Sequence, residues 1–305
     1  MSTTASLSLS DALTGFTLDL RAKGRAAKTV SAYTESVRAL ARWRTEQGQA
    51  DDLLSLTRDE FKGFLVSLID RGLTPATARA RYASIRQLYR WLVTDGYLET
   101  DPTEGVSPPT LPKTPVPVLT DDELKLLLAE AERGGDFASR RDAAILRTFV
   151  STGARLSEVA GLRLDDVDLD RGLVVFVTTK GDKPRTVGIG NRTSKALFRY
   201  LQARRENADA ESEWLWLGRN GRFTSQGIAI MVKRRARDAG IERDVHAHML
   251  RHSAAHRWLA GGGEEGDLMR IMGWSDRSML DRYAAATAQG RALEAQRRLR
   301  LDDQF

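Results

Sequence analysis

The chain has 305 residues, 41% of them hydrophobic and 29% charged, with no cysteine and a formal net charge of +6. That balance describes an ordinary globular protein of about two domains; it excludes disulfides and a thiol nucleophile, and no apolar run approaches a membrane span. The basic excess is compatible with a nucleic-acid partner without demonstrating one. The Ser/Thr-rich start has no basic-then-apolar signal pattern, so export is not expected and a cytoplasmic location fits.

Apolar positions Leu9, Leu13, Phe16 and Leu20 predict a helix over 8–20. After a basic turn ending at Lys28, Val30, Tyr33, Val37, Leu40 and Trp43 predict a second over 29–46. Thr57 and Glu60 form a capping box that opens a third over 58–70. Thr74-Pro75, an N-cap followed by proline at the first helical position, opens a fourth over 75–94. Residues 71–94 hold five arginines and no acidic residue. Arg79, Arg86 and Arg90 fall within a stripe of about 40° at about 100° per residue, opposite Ala78, Ile85, Leu88, Tyr89 and Leu92. Such a stripe suits either a solvated face or a track of DNA phosphates.

Residues 101–118 carry six of the eight prolines, which bars a persistent helix or central strand and predicts a semi-rigid linker. It divides a domain over 1–100 from one over 119–305. In the second, Thr120 and Glu123 make another capping box, and a buried helix is expected over 140–152, ended by Gly153. A short helix follows from Arg155. Apolar runs 173–179 and 185–189 flank K-G-D-K and predict a hairpin with Lys180 at its tip. Helices are expected over 192–206, 224–239, 248–260, 264–273 and 276–287. The fold class is therefore mainly α, with one small antiparallel β element.

All four histidines lie between His246 and His256, in H-A-H-M-L-R-H-S-A-A-H. A helical zinc motif would need a glutamate between its histidines, whereas Met249, Leu250 and Arg251 stand there, and no cysteine is present to complete a coordination sphere. No metal is expected. An imidazole beside an arginine suits a phosphate-like anion instead. Arg155, Lys180, His248, Arg251, Trp274 and Tyr283 together make a set with chemical meaning. Cations can hold the non-bridging oxygens of a phosphodiester without Mg²⁺, and a tyrosine hydroxyl is a competent nucleophile when its ionisation is assisted. Taken singly, Lys180 reads as a solvated hairpin lysine and Tyr283 as a core residue.

At these residues the chain resembles the tyrosine recombinase, or phage-integrase, family. T-G-A-R-L-S-E-V-A-G-L resembles its first arginine motif, with Arg155 as that arginine and Glu158 as the supporting acid. T-T-K-G-D-K-P-R-T-V resembles its hairpin lysine motif at Lys180. H-M-L-R-H resembles its His-x-x-Arg-His box at His248, Arg251 and the adjoining His252. G-W-S-D-R-S-M-L-D-R-Y resembles its terminal box, with Trp274 where many members have histidine and with Tyr283 as the nucleophile.

The resemblance implies a helical, SAM-like core-binding domain that meets DNA through residues such as Lys28, Thr29, Arg79, Arg86 and Arg90. It further implies double-stranded DNA as partner, a tetramer on paired sites, no cofactor, and strand exchange through a 3′-phosphotyrosine. Arg155 and Arg251 would clamp the phosphate, His248 would assist the tyrosine, and Lys180 would protonate the leaving oxygen. Gly261–Gly263 and M-G-W point towards a mobile-element recombinase. A Xer-like dimer resolvase, a type IB topoisomerase-like or telomere-resolving enzyme and an inactive accessory protein are the alternatives.

Overall fold

The computed structural model describes residues 7–49, 52–112, 116–177, 184–281, 283, 293, 296 and 297. The chain divides into two compact units, Met1–Thr114 and Pro115–Phe305.

The first unit contains α1 (Leu9–Ala22), α2 (Ala27–Glu46), α3 (Arg58–Asp70) and α4 (Pro75–Thr94). The start signals act as local chemistry dictates. Thr57 Oγ1 accepts from the Glu60 N–H while the Glu60 carboxylate accepts from the Thr57 N–H, and Thr74 caps the helix that Pro75 begins. Such caps stabilise a helix by about 1 kcal/mol each. The apolar stripes meet in an aromatic core in which Trp43 packs edge-on to Phe64 and Phe61 stacks on Tyr82. Two tyrosine hydroxyls pin loops to α4: Tyr89 donates to the Leu53 carbonyl at 2.7 Å and Tyr82 to that of Val106 at 2.6 Å.

The second unit is built around α6 (Phe137–Thr152), whose residues Ala144, Ile145, Leu146 and Phe149 are fully buried. Against it pack α5 (Asp121–Arg133), α8 (Asn191–Arg204) and α10 (Ala247–Ala260). The capping box at Thr120 and Glu123 forms as expected. Three short antiparallel strands, β1 (Val167–Asp168), β2 (Leu173–Phe176) and β3 (Arg185–Gly188), lie in that order, with Val174 opposite Val187 and Phe176 opposite Arg185. The expected hairpin exists, but β1 was not anticipated, because two residues carry no readable alternation. Short α7 (Leu156–Ala160), then α9 (Ser225–Asp238) and α11 (Glu265–Met272), complete the framework. Of the helix expected over 276–287, residues 277–281 and 283 are described and are helical. No described helix is long and apolar enough to cross a membrane.

Candidate active site

Gly153 ends α6 in the left-handed region, at φ 60°, and turns the chain into buried Ala154 and then Arg155. A Cβ at Gly153 would lie 2.4 Å from the Met272 methyl and 3.2 Å from the Ala254 Cβ, so both conformation and space select glycine. Arg155 is the N-cap of α7. Its N–H donates to one Glu158 oxygen at 2.6 Å and its Nη1 to the other at 2.9 Å. The same carboxylate receives Arg185 bidentately, at 2.9 and 2.7 Å. Burial pushes the Glu158 pKa up, but the hydrogen bonds from Arg185 and Arg155 more than offset this and hold it at about 2.

Arg185 was not among the expected site residues. The sequence does carry a signal for it: in R-T-V-G, the alternation of a strand puts Arg185 on the same face as buried Val187. Its guanidinium crosses the Phe176 ring at 4.9 Å before reaching Glu158.

On α10, His246 is the N-cap, its Nδ1 accepting from the Met249 N–H at 3.2 Å. Arg251, one turn in, is 2% exposed. It donates to the carbonyls of Gly153 at 2.8 Å and Met272 at 2.7 Å. Burial first, and then the Arg155 charge, lower its pKa to about 10, so it remains a cation at neutral pH. Desolvation and the neighbouring Arg251, His246 and Arg155 depress His248 below its ordinary value. Arg155, His246, His248 and Arg251 line one cavity of about 210 Å³ together with Leu156 and three alanines, Ala154, Ala229 and Ala247. Three cations or potential cations of the predicted set thus converge on a space that admits a phosphate. His246, assigned no role from the sequence, joins them.

The C-terminus of α11 ties the remaining pieces together. Carbonyls of three successive residues are each held by a different arginine: Ile271 by Arg185 at 2.8 Å, Met272 by Arg251 and Gly273 by Arg155 at 3.3 Å. Guanidinium groups at the negative end of a helix are favourably placed. Immediately beyond, Trp274 stacks on Tyr283 with ring centroids 5.2 Å apart and planes at 11°, and the Arg251 guanidinium lies 5.6 Å from the Trp274 ring. The Trp274 indole N–H is buried and has no hydrogen-bond partner among the described residues.

Tyr283 is 2% exposed, and its hydroxyl is hydrogen-bonded to His252 Nδ1. The sequence assigned the tyrosine to His248; the contact is made by His252, one turn further along α10. The two imidazoles touch edge to face at 4.1 Å, so His252 bridges the cavity to the tyrosine.

Lys180 lies outside the described residues. In the first unit, Lys28 is exposed and Thr29 half-buried on the first turn of α2, while Arg79 and Arg90 are exposed. Arg79 donates to the Pro109 carbonyl at 3.3 Å. Arg86 departs from the open stripe: its Nη1 donates to the Tyr82 hydroxyl at 3.0 Å, and its Nε is buried. On α9, three successive basic residues are paired within the second unit. Arg234 and Arg235 converge on fully buried Asp142 at 2.9 and 3.0 Å, and Lys233 pairs with Asp244.

The phage integrase family pattern matches residues 117–289, and that of the phage integrase N-terminal SAM-like domain matches residues 13–96. The chain is 35% identical over 189 residues to Tyrosine recombinase XerC of Pseudomonas aeruginosa, an alignment covering 61% of this chain and 60% of that one. It is 37% identical over 193 residues to the XerC of Azotobacter vinelandii, covering 61% of each. The aligned stretch thus spans about three fifths of the length of these curated relatives.

Solved structures show the same fold. XerH site-specific recombinase bound to palindromic difH substrate has a TM-score of 0.75 at 19% identity, covering 90% of this chain and 81% of that one. The Tn1549 transposon integrase in complex with transposon right end DNA gives 0.73 at 19%, covering 94% and 99%. A lambda integrase tetramer bound to a Holliday junction gives 0.70 at 17%, covering 90% and 79%. Both units carry the arrangement these patterns describe, and the chain belongs to the phage integrase family.

Proposed function

We propose that the protein is a site-specific DNA recombinase that cuts and rejoins double-stranded DNA through a 3′-phosphotyrosine at Tyr283, without a cofactor. The supporting observation is the convergence of Arg155, His248 and Arg251 on one cavity, joined through His252 to a tyrosine hydroxyl.

In this reading a phosphodiester enters the cavity and its non-bridging oxygens meet Arg155 and Arg251. Arg251 spends two of a guanidinium's five N–H donors on carbonyls, which leaves the others for phosphate. The Trp274 N–H, buried and without a partner among the described residues, adds a donor. The tyrosine oxygen forms the new P–O bond as the bond to the 5′ oxygen breaks. The tyrosine proton passes to His252, which the contact favours over His248, and Lys180 protonates the leaving oxygen. A 5′-hydroxyl from a partner strand then displaces the tyrosine, so bond energy is kept and ATP is not needed. Tyr283 is covered in the free chain, so productive binding requires it to leave the Trp274 stack.

The role we assign is integration or excision of a mobile element, by a cytoplasmic protein acting as a tetramer on paired sites. Dimer resolution is the second reading, favoured by the XerC relatives.

The test uses nicked duplexes drawn from the DNA flanking the gene. The native chain should leave a denaturant-resistant protein–DNA adduct, and Tyr283→Phe should bind the same DNA without one. Adducts persisting in that variant overturn the assignment. Relaxation of a plasmid that lacks any such site would support a topoisomerase-like enzyme instead.

A further inference from the structure

A concavity of about 730 Å³ in the second unit shares no lining residue with the Arg155–Arg251 cavity; it lies between the C-terminal end of α5 and the facing sides of α6 and α8. The two longer helices run antiparallel. Thr193 at the start of α8 bonds to the Arg147 carbonyl late in α6, and Phe137 at the start of α6 contacts Tyr200 late in α8. Arg140 and Arg147 project from α6 at i and i+7; Arg192, Lys195 and Arg199 project from α8 at i, i+3 and i+7. Each row is about 10 Å long at about 1.5 Å per residue.

Arg147 is paired with Glu132, the one acidic residue in the lining. Arg140, Arg192, Lys195 and Arg199 have no ion pair among the described residues, and α8 contains no acidic residue. Four uncompensated cations around one depression repel one another, and a polyanion relieves that repulsion. The groove also contains Phe198, a large aromatic that is 54% exposed.

We propose that this groove binds a single strand of nucleic acid, with phosphates along the two cationic rows and a base on Phe198. Its volume is in the small-ligand range of about 300–1,000 Å³. That admits a strand segment rather than a duplex, whose major groove alone is about 12 Å wide. A cationic groove with an aromatic stacking surface is the combination that holds single strands independently of sequence. An acidic protein segment would satisfy the charge but has no need of an open aromatic face. Strand exchange frees single strands, so such a site would hold a released end without taking part in cleavage.

The test is fluorescence anisotropy of the full chain with a labelled oligodeoxythymidylate of about a dozen nucleotides. Phe198, Lys195 and Arg199 are all exposed, so their replacement should not disturb folding. Phe198→Ala should weaken binding about tenfold. The pair Lys195→Gln and Arg199→Gln should flatten the log–log salt dependence by about 1.4. Binding unchanged in all of these variants overturns the proposal. So does equal affinity for a base-free phosphodiester chain, or tighter, Phe198-dependent binding of a labelled poly-glutamate peptide, which would make the occupant an acidic protein. Adduct formation at Tyr283 should be unaltered. Loss of adducts in the native chain would count against the cleavage reading and leave the groove result standing.

Discussion

Replacing Glu158 by Gln removes a charge, with little change of shape, at the point where two arginines meet. The carboxyl pKa falls from an ordinary 4.5 to about 2, and the side chain is 2% exposed. At about 1.36 kcal/mol per unit, that shift corresponds to about 3 kcal/mol of stability at neutral pH. Breaking a buried pair costs about 3–5 kcal/mol in general, because one charge stays buried without its counter-ion. We therefore expect Glu158→Gln to destabilise the second unit by about 3 kcal/mol.

The pH dependence is fixed by the direction of the shift. A depressed carboxyl pKa stabilises fully above the unfolded value, and its contribution is lost as pH falls towards the folded value. The difference between native and variant should thus be constant from pH 7 to about 5, then shrink by about 1.4 kcal/mol per unit below pH 4.5. Urea denaturation followed by tryptophan fluorescence, with Trp43 and Trp91 replaced by Phe, leaves the indoles of the second unit alone as reporters. A cost below about 1 kcal/mol at pH 7, or a difference that persists undiminished at pH 3, refutes the account of Glu158 as the counter-charge of Arg155 and Arg185.

Trp274→Phe keeps the stack on Tyr283 and removes an N–H that has no partner among the described residues, so stability should change by less than about 1 kcal/mol. If that N–H serves the phosphate, the adduct-forming rate should nonetheless drop by roughly 100-fold in single-turnover assays. With only four histidines, the imidazole signals can be followed by NMR: His248 should titrate below the ordinary 6.5, and Arg155→Gln should move it upward. Gly153→Ala should cost at least about 1 kcal/mol in the same urea experiment, since φ is 60° and the new methyl meets Met272 and Ala254.

Much of this was legible in the sequence where the governing interactions are local. Capping boxes at Thr57 and Thr120, proline at the start of α4 and the long apolar stripes act within a few residues, so helix positions follow from spacing. Within the first-unit arginine stripe, Arg86 turns back onto a tyrosine one helical turn away, a choice set by packing rather than by period. The partner of Arg234 and Arg235 is likewise set by the fold, which brings Asp142 to them from some ninety positions earlier. Arg185 and the pairing of His252 with Tyr283 were missed for the same reason. Each depends on which residue faces which across elements far apart in sequence.

These distant contacts give the site a feature that its motifs do not state individually. Arg155, Arg185 and Arg251 arrive from a loop, a strand and a helix, yet all three hold the last carbonyls of α11, directly before Trp274. The Glu158 carboxylate lies between two of them, Arg155 and Arg185. The helix terminus supplies partial negative charge and, more importantly, fixed direction: each arginine is oriented before any anion arrives. The same carbonyls anchor the segment that carries Trp274, so arginine position and the setting of the Tyr283 stack are mechanically one unit. A change at the end of α11 should therefore disturb anion binding and tyrosine placement together, whereas a change at His248 should reach the tyrosine only through its contact with His252.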